Sequence, residues 1–172
     1  ATPAISIPTA PSAAPIRPFA CKRGTVANPS AGGCYARNMP RVDVVVVSYN
    51  SSVELRGCAE PLAGYPALNV IVVDNASSDR SLETVDDLPV EKIALEQNGG
   101  FGHGCNAGWR SGEAPYVLFL NPDAQIEPAA VERLATVLDQ SPAAGAVAPR
   151  IVHVDGTLDY SLRRFPRLRS TY

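Results

Sequence analysis

Residues 44–50, VVVVSYN, decide the fold, because four consecutive β-branched residues end abruptly in polar ones. Two later stretches repeat the pattern, VIVVDN at 70–75 and VLFLNPD at 117–123. Continuous apolar runs of this length are typical of strands buried on both faces, as in a parallel sheet. The sequence therefore predicts an α/β protein whose buried strands each end in polar side chains.

The polar residues after these strands are the first candidates for a functional site. In open α/β sheets, ligands bind in the crevice beyond the carboxyl ends of the strands. Ser48, Asp74 and Asp123 each stand at or just after such an end. We therefore expect these three side chains to rim one cleft, although they are far apart in the sequence.

Strand and helix signals alternate from residue 41 onward, with short links between them. This order predicts a Rossmann-like, three-layer α/β/α architecture with a mostly parallel sheet. Asp155 and Gly156 predict a hairpin turn between strands at 151–154 and 157–161. The other strands are expected at 43–48, 69–74, 91–95, 116–120 and 146–149. The helices are expected at 52–63, at 81–85 with Ser81 as its cap, from the glycine-rich loop to 109, and at 128–138.

Composition divides the chain into two parts. Residues 1–40 are rich in proline, alanine and serine and show no clear period. Such a segment buries little, which predicts a disordered or extended stretch, or an extension that lies upstream of a natural start at Met39. Residues 41–172 carry the alternating pattern and form the predicted domain.

Charge is also unevenly spread along the chain. Residues 43–162 hold all 17 acidic residues and six basic ones, a net charge of −11. An acidic body argues against nucleic acid as the main partner, which needs a basic face, and it suits a site for a divalent cation. Four arginines at 163–169 form a basic end. We expect this end to be solvated, with contact to anionic lipid as the alternative.

The four cysteines have neither zinc-finger nor C-x-x-C spacing. Cys58 and Cys105 are predicted to be buried free thiols in helices, which fits a reducing cytoplasm. No apolar run approaches the roughly 18–20 residues that are needed to span a bilayer. Peripheral membrane contact stays open as an interpretation.

Three acidic residues are the strongest candidates for chemistry. Asp123 follows Pro122, so the chain must turn there, and hard cations such as Mg²⁺ or Mn²⁺ are held by one or two carboxylates plus substrate phosphates. The alternative is that Asp123 caps the following turn. Asp74 is expected to accept from a nucleobase or a ribose hydroxyl, whereas Asp79 has a turn or cap role as its alternative.

The glycine-rich loop at 98–108 is a second candidate, because glycines allow close backbone approach and a helix start offers N–H groups. It is not a dinucleotide fingerprint, since it follows the third strand and does not keep the G-x-G-x-x-G spacing. His103 is expected to be a ligand-facing or surface histidine. No G-x-S-x-G elbow is present, and the chain has only two histidines, which argues against a catalytic triad with a Ser or Cys nucleophile.

Taken together, four motifs resemble glycosyltransferase family 2, whose members have the GT-A fold. The motifs are VVVVSYN at 44–50, VIVVDNASSDRS at 70–81, the loop at 98–108 and FLNPDA at 119–124. DGTL at 155–158 and RRFP at 163–166 are most similar to the bacterial rhamnosyltransferase branch. The resemblance covers about residues 41–172, so we expect an incomplete donor-binding domain there.

The resemblance implies inverting transfer of a sugar from a nucleotide-diphosphate donor to a hydroxyl acceptor, assisted by Mg²⁺ or Mn²⁺. The expected sugar is rhamnose, the expected acceptor a lipid-linked glycan, and the expected setting cell-surface polysaccharide synthesis in the cytoplasm, at the inner face of the membrane. Asp123 would hold the metal, and Asn121 stands where the first acid of the family's D-x-D usually sits. The residues expected to contact the donor are Ser48, Tyr49, Asp74, Asp79, Asn98, Gly102, Asn106 and Asn121.

The sequence does not identify the catalytic base. The resemblance implies a carboxylate downstream of Tyr172, so we expect this chain alone to bind a donor with little turnover, since loss of a base typically costs about 10²–10⁴-fold. A sugar nucleotidyltransferase is one alternative, although residues 48–52 lack the glycine- and Arg/Lys-rich loop usual in that class. A non-catalytic module that binds nucleotide sugars is the other.

Overall fold

The computed structural model describes residues 4–6, 41–153 and 155–158. In that part of the chain, a four-stranded parallel sheet has the strand order β4-β3-β2-β5, and a separate antiparallel pair joins β1 to β6. The strands are β1 Ala4–Ser6, β2 Val42–Ser48, β3 Leu68–Asp74, β4 Glu91–Ala94, β5 Tyr116–Leu120 and β6 Arg150–Val152. The helices are α1 Leu55–Ala59, α2 Phe101–Ser111 and α3 Pro128–Gln140, with a 3₁₀ turn at Leu82–Val85.

The two apolar runs that are richest in valine form the centre of the sheet. Every residue of β2 is buried, and β3 is buried except at Asn69. β2 lies between β3 and β5 and pairs in parallel with both, so both of its hydrogen-bonding edges are paired within the sheet. This arrangement confirms the predicted parallel sheet.

Alternate residues of β2 face two separate cores. Val44 and Val46 pack in the cluster that includes α1 and α3, whereas Val45 and Val47 pack in the cluster that includes Cys105 of α2. Helices therefore cover both faces, which confirms the three-layer α/β/α architecture.

Helix α2 lies directly on the sheet because two of its glycines face β2. A Cβ added to Gly104 would come within 2.6 Å of Val47 Cγ1, and one added to Gly108 within 2.4 Å of Val45 Cγ1. Real Cβ atoms do not approach so closely, so the distance between helix and sheet depends on these glycines.

A buried carboxylate closes the opposite, amino end of the sheet. Asp43 is 3% exposed and accepts hydrogen bonds from Asn69 Nδ2 (3.0 Å) and the Ala114 N–H (2.9 Å). A Cβ on Gly112 would lie 2.1 Å from Asp43 Oδ2, so the chain can pass here only as glycine. The amino end of the sheet is therefore occupied by Asp43 and the residues that pack on it.

The predicted elements agree with the structure at the strands of the parallel sheet and differ at some helix ends and in one later strand. The strand predicted at 116–120 is β5. Its predicted burial on both faces is wrong, because β5 ends the order of the described sheet and is half-buried, with Phe119 exposed and Leu120 buried. The helix predicted at 52–63 is wrong in extent, because α1 covers only Leu55–Ala59. Pro61 lacks an N–H and its ring crowds the preceding turn, so the regular helix cannot continue through it.

The predicted role of Ser81 as a helix cap is also wrong. Its side chain makes no capping hydrogen bond to the 3₁₀ turn, because its hydroxyl is used by a neighbouring loop. The strand predicted at 146–149 is wrong too, since β6 begins at Arg150, after Pro149. Proline cannot donate to a strand ladder, which explains the later start.

The predicted hairpin is seen in part. Val152 bridges Leu158 in antiparallel fashion, and Gly156 has φ = 82°, which suits a tight turn. Val154 and residues 159–161 lie outside the described residues, as do the basic end at 163–169 and most of the segment 1–40.

Cys58 and Cys105 are buried free thiols on α1 and α2, as predicted. Among the described residues, no helix combines the length and apolar character needed to cross a membrane.

Candidate functional site

The carboxyl ends of the parallel strands meet at one edge of the sheet. Ser48 is the register partner of Asp74, Asp74 is the partner of Ala94, and Val46 is the partner of Leu120. The loops that leave β2, β3, β4 and β5 therefore start side by side. This edge is where the fold places a ligand site.

The loops after β2 and β3 each turn through a left-handed residue. Asn50 has φ = 52° and Ala76 has φ = 61°. Asparagine adopts this conformation with little cost, but alanine rarely does. Surrounding contacts must hold Ala76 there.

These two loops are joined by hydrogen bonds, and we call residues 50–52 with 74–81 the loop clasp. The Asn50 N–H donates to Ser77 Oγ (2.9 Å), and Asn50 Oδ1 accepts from the Ser78 N–H (2.9 Å). The Ser51 N–H donates to Ser81 Oγ (2.9 Å). The serines of both motifs therefore hold one loop against the other.

Both acids of the β3 loop are engaged inside the clasp. Asp74 is 8% exposed, and its carboxylate accepts from the N–H (2.9 Å) and hydroxyl (2.5 Å) of Ser77. Asp79 accepts from the N–H (3.0 Å) and hydroxyl of Ser81 and from the N–H of Ser52 (3.1 Å). The Ser81 hydroxyl, followed by the Ser52 and Ser81 N–H groups, holds the pKa of Asp79 below its usual value.

Ser48 lies beneath these loops. Its side chain is fully buried, and its Oγ has no hydrogen-bond partner. Tyr49, the next residue, is 50% exposed at the start of the loop. Of this pair, only Tyr49 presents a side-chain surface to solvent.

The loop after β5 forms a different part of the edge, and we call Asn121–Asp123 with Glu54 the open rim. These residues and Ser51 line an open cavity of about 340 Å³. Asp123 and Glu54 are both exposed. Asp123 is thus a carboxylate that follows the half-buried strand β5 and faces the solvent.

Cys58 lies beneath the open rim. Its Sγ donates to the Asn121 carbonyl oxygen at 3.5 Å. Burial, helped by the nearby Asp123 carboxylate, raises the pKa of the Cys58 thiol to about 12. The thiol is therefore protonated at neutral pH and acts as packing, not as a nucleophile.

The open rim offers oxygen ligands of the kind that a hard cation takes. Two carboxylates and one amide oxygen line the same cavity, and Mg²⁺ is typically held by one or two carboxylates plus substrate phosphates. Within the described ranges, no group of three or more His, Cys, Asp or Glu side chains could enclose a metal by itself. The donor set fits a cation that shares its ligands with a bound phosphate.

The glycine-rich loop reaches the same edge from β4. Asn98, Gly102, His103 and Asn106 are all exposed, and α2 begins after Gly100, whose φ is 84°. A Cβ added to Gly102 would meet no atom within 4 Å, unlike those at Gly104 and Gly108. Packing therefore does not require glycine at position 102.

The expected cleft shared by Ser48, Asp74 and Asp123 differs from what is observed. All three lie at the carboxyl edge, but the cavity is lined by Asp123 together with Ser51 and Glu54. Ser48 and Asp74 are buried under the clasp instead. Of the predicted donor-contact residues, Asn121 alone lines the cavity with Asp123.

Sequence reasoning missed Glu54 and Asn75. Glu54 stands in a stretch predicted as helix, so its position on the cavity was not evident. Asn75 is 3% exposed, and its side chain bonds to the glycine-rich loop. Its place next to Asp74 in VIVVDN was the available signal.

The sequence of this chain is similar to the sequences of known proteins. The chain is 31% identical over 136 residues to the succinoglycan biosynthesis protein ExoO of Rhizobium meliloti, covering 74% of this chain and 37% of that protein. It is 29% identical over 140 residues to the N-acetylglucosaminyl-diphospho-decaprenol L-rhamnosyltransferase of Mycobacterium tuberculosis, covering 73% and 46%. The chain thus spans less than half the length of these relatives.

Two solved structures are also similar to this chain. The mannosyltransferase PcManGT from Pyrobaculum calidifontis, in complex with GDP-Man and Mn²⁺, superposes with a TM-score of 0.50 at 27% identity, covering 60% of this chain and 32% of that one. The S. aureus TarS 1–349 structure superposes with a TM-score of 0.53 at 28% identity, covering 59% and 33%. Both neighbours are GT-A glycosyltransferases. The profile of glycosyl transferase family 2 matches residues 43–172, and the chain belongs to that family.

Proposed function

We propose that this chain binds a nucleotide-diphosphate sugar at the carboxyl edge of its sheet, as the donor-binding part of an inverting glycosyltransferase that passes the sugar to a hydroxyl acceptor. The observation that carries the proposal is the open rim. Asp123 is an exposed carboxylate three residues beyond the end of the parallel strand β5, and it shares a cavity with Asn121 and Glu54.

The loop clasp and the open rim divide the carboxyl edge of the sheet, and this division suggests which residues contact the donor. Asp123 would hold Mg²⁺ or Mn²⁺, with Asn121 and Glu54 as neighbouring oxygen ligands. When bound, the cation would neutralise negative charge on the diphosphate leaving group. The half-exposed ring of Tyr49 offers an apolar face for the base, and the clasp fixes the loop that carries it.

Asp74 and Asp79 take a structural role in this proposal. Their carboxylates already accept several hydrogen bonds from clasp residues, so they order the loops that surround the donor. Asn98, Gly102 and Asn106 would form the wall on the α2 side, where Gly102 leaves open space for close approach.

Similar proteins support a narrower substrate class. The Mycobacterium tuberculosis relative is an N-acetylglucosaminyl-diphospho-decaprenol L-rhamnosyltransferase, and ExoO is a succinoglycan biosynthesis protein. We propose rhamnose as the sugar, a lipid-linked glycan as the acceptor, and cell-surface polysaccharide synthesis at the inner face of the membrane as the setting.

Calorimetric titration with dTDP-rhamnose, GDP-mannose and UDP-glucose, each with and without Mn²⁺, tests the proposal. We expect one donor to bind, Mn²⁺ to tighten it at least tenfold, and Asp123→Asn to remove that gain. Asp86→Asn is the matched control, because Asp86 is exposed outside the cavity and pairs with Lys92. Absence of binding by all three donors, or equal loss in both variants, would overturn the proposal.

A further inference from the structure

Asn75 connects the ends of β2 and β3 to the loop after β4 at the carboxyl edge of the sheet. Asn75 is 3% exposed, and its backbone N–H donates to the Ser48 carbonyl oxygen at 2.8 Å. Its side-chain carboxamide forms hydrogen bonds with the loop after β4. A buried amide in this position links the β2 and β3 ends to the start of α2.

Both ends of the Asn75 carboxamide are used by that loop. Oδ1 accepts from the Gly99 N–H at 3.1 Å, and Nδ2 donates to Asn98 Oδ1 at 2.8 Å. Because only oxygen can accept from Gly99, the orientation of the amide is fixed. Asn98 Oδ1 also accepts from the Gly100 N–H at 2.9 Å, so the two asparagines together hold the turn at 98–100.

This turn sets the first residues of α2. Gly100 is the residue before the helix, and no side chain caps it. Gly104 and Gly108, in the first and second turns of α2, lie against Val47 and Val45 and fix the buried face of the helix on the sheet. The Asn75–Asn98 pair adds a separate contact, which holds the turn just before the helix, next to the exposed Gly102.

We infer that Asn75 is a positioning residue for donor binding, which acts through the turn at 98–100 and does not touch the ligand. The inference rests on the proposed function, because it assigns the α2 side of the cleft to a nucleoside diphosphate. Both ends of its buried amide are engaged by the loop, so we expect its effect on binding to pass through the position of that loop.

The test measures dissociation constants for UDP, GDP and dTDP with Mn²⁺, using the whole 172-residue chain. Asn75→Asp keeps the size and the acceptor for Gly99, but it places a second oxygen against Asn98 Oδ1. We expect binding about tenfold weaker, the effect of losing one or two hydrogen bonds. Asn75→Ala removes both bonds to the turn without adding an oxygen and serves if the first variant folds poorly. Asn98→Ala breaks the same pair from the exposed side and is the second change in a double-mutant cycle.

A double-mutant cycle separates positioning from stability. If Asn75 acts through Asn98, the variant with both changes binds no more weakly than the worse single variant. Asn69→Ala is the matched control, since Asn69 is on the same strand β3 and its amide bonds to Asp43 at the opposite end of the sheet. We expect Asn69→Ala to lower the melting temperature and leave the dissociation constant unchanged.

The outcomes are distinct. Weaker binding in folded Asn75→Asp with a non-additive cycle supports the inference. Unchanged binding, or additive effects of the two asparagines, overturns it and leaves the proposed function standing. If the wild-type chain binds none of the three nucleotides, the proposed function fails and this inference fails with it.

Discussion

The loop clasp and the open rim stand at the same edge of the same sheet, yet they use their acids in opposite ways. In the clasp, Asp74 and Asp79 each accept hydrogen bonds from neighbouring serines and backbone N–H groups. At the rim, Asp123 is exposed on a cavity of about 340 Å³. The difference indicates that an acid at or beyond the carboxyl end of a parallel strand holds a loop in one case and is available to a ligand in the other.

Helix α2 shows the same division along its length. Gly104 and Gly108 are required by packing on β2, whereas Gly102 faces open space. Residues that support the site and residues that are free to meet a ligand thus alternate within a few positions.

The largest expected effect concerns the packed glycines. Gly108→Ala places a Cβ against Val45 and Val73, so helix and sheet must separate, and we expect a loss of about 3 kcal/mol in the free energy of unfolding. Gly102→Ala has room and adds helix propensity, so we expect it to be neutral or to stabilise by up to about 1 kcal/mol. Urea unfolding of both variants measures the difference in their free energies of unfolding. Equal destabilisation would contradict the claim that packing requires glycine at position 108 but not at position 102.

A smaller effect is expected when the acids are compared in the unliganded protein. Asp74→Ala leaves the Ser77 N–H and hydroxyl without their acceptor in a part-buried position, at a cost of about 2 kcal/mol. Asp123→Ala removes an exposed carboxylate, and we expect a change within about 0.5 kcal/mol. Urea midpoints at pH 7 measure both changes in stability. A large loss of stability in Asp123→Ala would show that Asp123 also has a structural role.

The smallest expected effect is the pH dependence contributed by Asp79. Its pKa is lower in the folded chain, chiefly because the Ser81 hydroxyl donates to the carboxylate, so ionised Asp79 favours folding. This contribution is present above the unfolded pKa near 4 and is lost as pH falls toward the lower folded value. Urea midpoints from pH 6 to pH 3 should fall less steeply in Asp79→Asn than in wild type. Identical slopes would show that the clasp does not depend on this charge.

Much of the fold could be predicted from the sequence because its signals are local. The valine runs of β2 and β3 can be satisfied only by burial on two faces, and β5 was predicted at the bounds observed. Pro61 shortened α1 where an apolar spacing had favoured a longer helix. Such a breaker outweighs periodicity because it removes a backbone hydrogen bond outright.

The site was harder to predict, because hydrogen bonds between residues distant in the sequence join its loops. Ser52 and Asp79 are 27 residues apart, and Ser51 and Ser81 are 30 apart, so no local pattern shows that these groups pair. The strand-end position of Asp74 predicted its place at the edge but not its burial. Glu54 reaches the cavity only through the turn that begins α1.

The most direct test of the account compares Asp123→Asn with Asp79→Asn in the binding of the preferred nucleotide sugar with Mn²⁺. The account predicts that Asp123→Asn weakens Mn²⁺-dependent binding about 100-fold, equivalent to about 2.7 kcal/mol, whereas Asp79→Asn stays within about threefold of wild type. If Asp79→Asn loses as much affinity as Asp123→Asn, or if Asp123→Asn binds like wild type, the division between clasp and rim is contradicted.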